Sequence, residues 1–160
     1  MEELTALRRW LEELRAAVDR KAGGLTPEQL AARSVPPSAL SVLGLVRHLA
    51  QVEHYWFVRT LERADEPQLY VEDGDWEAQF RDAVADEAVV AEAFGTWRRV
   101  QERADRIMDG LGPEALDVVW DPETRTGSVR GVLLQVVYEY SRHLGHLDLL
   151  REAVDGQTGQ

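Results

Sequence analysis

What most constrains this chain is the spacing of its apolar residues, which recur three and four positions apart along four separate stretches and so mark four helix faces. The first stripe, Leu4, Leu7, Leu11, Leu14 and Val18, predicts a helix from about Glu2 to Lys21, stopped by Gly23-Gly24. Thr26-Pro27-Glu28-Gln29 then combines a capping hydroxyl, a proline at the first helical position and an amide three residues on, the pattern of one short extra turn before Pro36-Pro37. The second long helix starts near Ser41 and runs through Leu45, Leu49, Val52 and Trp56 to about Ala64. The third runs from about Asp86 to Met108 through Val89, Ala93, Trp97, Val100, Ala104 and Ile107, and stops at Gly110. The fourth begins at the capping residue Ser128 and ends near Val154, before Gly156. Between these helices, the segment from Asp65 to Gln79 and the one holding Pro113, Asp121-Pro122 and Gly127 exceed a tight bundle turn. Val118-Val119-Trp120 is one brief extended piece with no evident partner. Four such helices without strand alternation predict an all-α bundle, one domain over residues 1–160.

Composition narrows the partners. Eighteen Lys and Arg against 29 Asp and Glu leave a net charge of −11, which repels a phosphate backbone. Arg8-Arg9 and the group Arg98, Arg99, Arg103 and Arg106 are interleaved with acids at helical spacings and read as a solvated face, so no nucleic-acid partner is expected. No stretch approaches the roughly 20 apolar residues that span a bilayer, and Met1-Glu2-Glu3 does not open a secretory signal. A cytoplasmic protein without a membrane partner is the expectation. The absence of cysteine removes disulfides, thiolate ligands and a cysteine nucleophile together.

All four histidines fall on two helices, His48 and His54 on the second, His143 and His146 on the fourth. Side chains three apart on a helix are neighbours, so His143 and His146 can converge on one ion, and an imidazole from the facing helix completes a set that leaves positions open for water or substrate. His48 and His143 both sit in apolar stripes, where an unpaired imidazole is costly to bury. Coordination answers that cost; so does a hydrogen bond to Glu139, Tyr140 or Asp148, and spacing alone does not choose. Glu139 and His143, four apart, also form a carboxylate–imidazole pair, as ligands or as an orienting arrangement. Glu53 and His54 are rotated away from the face of His48, which suggests a solvated or helix-pairing role. The five tryptophans read as core and interface anchors, with Trp76 and Trp120 on long loops that can cover a site. There is no glycine-rich phosphate loop and no convincing serine triad.

Two separated segments carry a family resemblance. Ser41-Val42-Leu43-Gly44-Leu45-Val46-Arg47-His48-Leu49-Ala50-Gln51-Val52-Glu53-His54-Tyr55-Trp56-Phe57, followed by Glu139-Tyr140-Ser141-Arg142-His143-Leu144-Gly145-His146-Leu147-Asp148-Leu149-Leu150-Arg151-Glu152, resembles the DUF664 branch of the DinB-like superfamily. With the helix pattern between them, the resemblance covers essentially the whole chain. It implies a four-helix bundle in up-down-down-up order with a long crossover connection, often dimeric. It also implies a divalent metal held by three histidines, one from the second helix and two from the last. Carried onto this chain, that favours His48, His143 and His146. Several relatives place the last two ligands four apart or replace one with glutamate. Here the position four beyond His143 is Leu147, so Glu139 is the substitute should one histidine fail. The branch often has histidine where this chain has Gln135.

Some relatives are thiol-dependent enzymes using mycothiol, bacillithiol or glutathione in isomerisation or S-transfer, which suits a chain with no cysteine of its own. The resemblance thus implies a metal-dependent enzyme, thiol-transferase-like or hydrolase-like, acting on a small-molecule substrate as a homodimer. A bound water or low-molecular-weight thiol would take the open position, and Glu139 or Tyr140 would orient or relay a proton as catalytic residues. Zinc is the first choice because imidazole suits it and no redox step is required, with nickel and iron as the other candidates. The competing reading is a non-catalytic metal-binding or stress-response protein with a structural or vestigial site.

Overall fold

A computed structural model describes residues 2–158. Its described elements are helical: α1 (Glu3–Ala22), α2 (Pro27–Ala31), α3 (Val42–Glu53), α4 (Ala78–Arg81), α5 (Glu87–Asp109) and α6 (Val129–Asp155), with no strands among the described residues. The helix starts follow their caps. Thr26 and Gln29 form the reciprocal capping box, the Ser41 hydroxyl accepts from Gly44 N, Asp86 accepts from Ala88 N and Val89 N, and Ser128 accepts from Gly131 N. Gly156, at φ 75°, closes α6 in the left-handed conformation that glycine adopts without steric cost.

Ion pairs between helices give their directions. Glu3 meets Arg130 and Lys21 meets Asp148, so α1 and α6 run parallel. Arg8 meets Asp109, Arg15 meets Asp105 and Asp19 meets Arg98, so α5 runs antiparallel to α1. On the opposed faces of α3 and α6, His48 lies beside His143 and Glu53 beside Tyr140, which makes these two antiparallel. The order is therefore up-down-down-up, as expected. Because α3 and α5 point the same way, the chain must travel the length of the bundle between them. Gln51 Oε1 accepts from Leu69 N (2.6 Å) and His54 Nε2–H donates to the Pro67 carbonyl (3.0 Å), pinning that crossover to α3.

The core is continuous across the four long helices, with Leu11 and Val18 of α1, Leu45, Val46 and Leu49 of α3, Trp97 and Ala104 of α5, and Val136 and Leu147 of α6 all buried. Each large apolar side chain so removed from water stabilises the fold by about 1.5–3 kcal/mol.

Three details depart from the sequence reading. The second long helix is not α-helical throughout: beyond Glu53 it widens into a π-helical stretch, His54–Leu61, closed by Glu62 N on Phe57 O. The crossover contains the short helix α4 at its end, where only loop was expected. Val118-Val119-Trp120 does find a partner, since Val119 bridges Ser128 and Trp120 N bonds Gly127 O, fastening this loop to the start of α6.

Candidate metal centre

His48 projects from the middle of α3 towards α6, in a place kept open by Gly44 one turn earlier. A Cβ on Gly44 would meet the Phe80 ring at 3.2 Å, so glycine lets α4 close against α3. Phe80 then stacks on His48 with centroids 5.5 Å apart. Its neighbour Gln79, buried, presents Oε1 at 3.1 Å from His48 Nδ1.

The structure brings His48, Glu139 and His143 together. One ligand atom from each lies within 4.8 Å of the others, the arrangement of a three-donor cation site. Glu139 Oε2 is 3.4 Å from His143 Nε2 and 3.8 Å from His48 Nε2, and the rings of His48 and His143 meet edge to face at 4.5 Å. Both Nε2 atoms are buried without a hydrogen-bond partner. Buried polar nitrogens of this kind are costly unless something occupies their lone pairs. A divalent cation fits the donor set, two imidazoles and a carboxylate, and would satisfy both nitrogens at once. Of the three acceptors that the spacing allowed for His143, Glu139 is the one it faces. Asp148 pairs with Lys21, and Tyr140 turns into the core.

His146 lies at the other edge of the His143 ring, its Nδ1 3.2 Å from His143 Nδ1. The reason is the lean of helical side chains towards the N-terminus of their helix. That lean carries His143 back to the turn of Glu139 and His146 back onto His143, so the four-apart pair shares a point with His48 and the three-apart pair does not. Glu139 Oε1 in turn accepts from Gln135 Nε2 at 2.8 Å.

The electrostatics agree with a cation site. The approach of His143, then of His48, holds the Glu139 carboxyl far below the usual carboxylate range despite partial burial. Burial pushes the His143 imidazole below its ordinary value, overcoming the opposite pull of Glu139, and so favours the neutral ring that a metal requires.

Tyr140, expected as a proton relay, belongs to a different constellation. It is fully buried; its hydroxyl donates to Glu53 Oε1 and accepts from Trp97 Nε1–H at 2.7 Å. Arg15 grips the same carboxylate through Nε (2.9 Å) and Nη2 (2.6 Å), and reaches Asp105 through Nη1 (2.6 Å). Burial and then the Glu53 charge keep the Tyr140 phenol well above its usual range, so it stays a neutral donor. Of the two roles foreseen for Glu53, the structure rules out the solvated one, since its side chain is 0% exposed and joins α3 to α1. His54 is likewise buried, on the Pro67 carbonyl. Trp97 is a core anchor as expected, whereas Trp10 is 59% exposed on α1, and the loop tryptophans Trp76 and Trp120 are exposed.

Two further residues of the centre carry no signal in the sequence that marks them for it: Gln79 lies at the end of the crossover, and nothing local to Gln135 announces its bond to Glu139. Among family models, one described as Mycothiol-S-transferase matches residues 6–156. Comparison with curated proteins and with solved structures finds no match.

Proposed function

The chain belongs to the mycothiol-S-transferase family, and from that premise we propose a metal-dependent enzyme that joins a low-molecular-weight thiol, mycothiol first among them, through its sulfur to a small electrophile, with loss of the thiol proton. The observation that carries the reading is the convergence of His48 Nε2, His143 Nε2 and Glu139 Oε2, with both nitrogens unpartnered. These residues would hold the ion through three donors, which leaves positions for an external ligand. When bound, the metal supplies a Lewis-acidic position that lowers the pKa of a thiol, so that thiolate is present at neutral pH. The chain's own part is to hold the donors between the middle stretches of α3 and α6, with Phe80 packed against His48 on one side. A protein with no cysteine cannot supply the sulfur itself, which agrees with a thiol substrate brought from outside.

Zinc is the proposed ion, with nickel and iron as alternatives for a two-imidazole, one-carboxylate set. The proposed roles of Glu139 and Tyr140 divide: Glu139 is a metal ligand, and Tyr140 holds the helices together. His146, the third ligand that the family resemblance favours, is the alternative donor if Glu139 is not used. A cytoplasmic location is proposed; no described helix is long and apolar enough to cross a membrane. A homodimer is proposed as well, with exposed Trp10 on α1 and exposed Tyr138 and Leu149 on the adjacent α6 as candidate contact residues. Sedimentation tests it, and a monomer at about tens of micromolar stands against it.

The test of function is thiol consumption with a model electrophile by chelated and zinc-reloaded protein. Rates above background in the reloaded protein alone support the enzyme. Equal rates in both forms, or none with any thiol, favour a non-catalytic metal-binding protein.

A further inference from the structure

We infer that each donor of this centre is held in its metal-facing form by a dedicated positioning residue, and that His146 serves His143 in this way instead of ligating. The inference rests on the reading of His48, His143 and Glu139 as the metal-holding set, and adds which residues set their protonation and aim.

The chain of constraint for His48 begins outside the centre. Gln79 Nε2 lies 2.7 Å from the Trp76 carbonyl oxygen, which can only accept, so the amide nitrogen must face Trp76. The amide oxygen therefore faces His48 Nδ1 at 3.1 Å. That oxygen too can only accept, so Nδ1 carries the proton, and the lone pair of the neutral ring is on Nε2, directed at Glu139. The backbone of one exposed loop residue thus dictates the tautomer of a partly buried imidazole.

His143 and His146 share one hydrogen bond, Nδ1 to Nδ1 at 3.2 Å, and one of the two must donate. A ring that binds a cation through Nε2 carries its proton on Nδ1. His143 is then the donor and His146 Nδ1 the acceptor, with the proton of His146 on its own Nε2. In that state neither nitrogen of His146 has a lone pair to offer the ion. Gln135 completes the arrangement: its Nε2–H donates to Glu139 Oε1, leaving Oε2 towards the imidazoles.

Outer partners of metal ligands are worth about 10- to 100-fold in metal affinity. The test is proton–nitrogen correlation of the histidine rings in metal-free and zinc-loaded protein, with zinc affinities of Gln79→Leu, Gln79→Glu, His146→Phe and His146→Gln. In metal-free wild type, His48 should already be protonated at Nδ1, and Gln79→Leu should abolish that preference. Loaded protein should show metal-bound Nε2 and protonated Nδ1 at both His48 and His143, with His146 unligated. Gln79→Leu and His146→Phe should bind zinc about 10- to 100-fold more weakly. Gln79→Glu and His146→Gln, which keep an acceptor, should restore most of the loss. A metal-bound nitrogen on His146, or unchanged affinity in His146→Phe, overturns the inference while leaving the centre standing. Wild type that binds no zinc overturns both.

Discussion

Glu139 Oε2 lies 3.4 Å from Nε2 of His143 on the next turn of α6, and both face His48 across the interface with α3. Three donors converge there, so loss of any one should matter. His48→Ala, His143→Ala and Glu139→Ala are each expected to weaken zinc binding by more than the roughly 10- to 100-fold typical of outer partners. Competition against a chelator of known affinity measures this. Unchanged affinity in one of the three removes that residue from the set.

Tyr140 and Glu53 define a second, structural constellation with its own consequence. Glu53→Ala leaves Arg15 buried without its main partner and should cost about 3–5 kcal/mol of stability. Tyr140→Phe removes one donor to a buried carboxylate and should cost about 1–3 kcal/mol. Urea unfolding reads both. Tyr140→Phe should keep zinc affinity and thiol transfer, whereas loss of turnover at full metal occupancy would return Tyr140 to the chemistry.

The metal-free protein should lose stability as the pH falls below about 6.5. Burial lowers the imidazoles of His54 and His143 below their ordinary value of 6.5. For a lowered imidazole, the unfolded chain binds more protons than the native one between the two values. The stability is therefore complete above about 6.5 and is lost as the pH falls through that window towards the native values. Thermal unfolding across this range tests it, and a melting temperature that rises on acidification contradicts it.

Chelation should leave the bundle folded. The core packs Leu11, Leu45, Trp97 and Val136 without help from the centre, unlike a zinc finger, whose metal-binding energy is its folding energy. Circular dichroism after verified metal removal should retain the helical signal at a moderately lower melting temperature. Collapse of helicity would make the metal structural.

Much of this was legible in the sequence because helical periodicity is local. The stripes through Leu4 to Val18 and Val89 to Ile107 placed α1 and α5 within a residue or two, and Thr26 and Ser128 announced their caps. His48 and His143 stood out as polar residues in apolar stripes. What stayed hidden depends on side-chain direction or on contacts between distant residues. Spacing permits both the 139–143 and 143–146 pairs, and only the lean of the side chains separates them. The pairing of Arg15 with Glu53, 38 residues apart, and the hold of Gln79 on His48, 31 apart, have no local signature. The π-helical widening after Glu53 carries no glycine or proline to mark it.

The central claim is that His48, His143 and Glu139 hold a metal ion that accepts an external thiol. Titrating mycothiol into the cobalt(II)-substituted protein while recording the sulfur-to-cobalt charge-transfer absorption tests it most directly. With no cysteine in the chain, a thiolate–cobalt band can come only from the added thiol. The account predicts a saturable band in wild type that is lost in His143→Ala. Wild-type protein that holds cobalt yet develops no such band at any thiol concentration would contradict it.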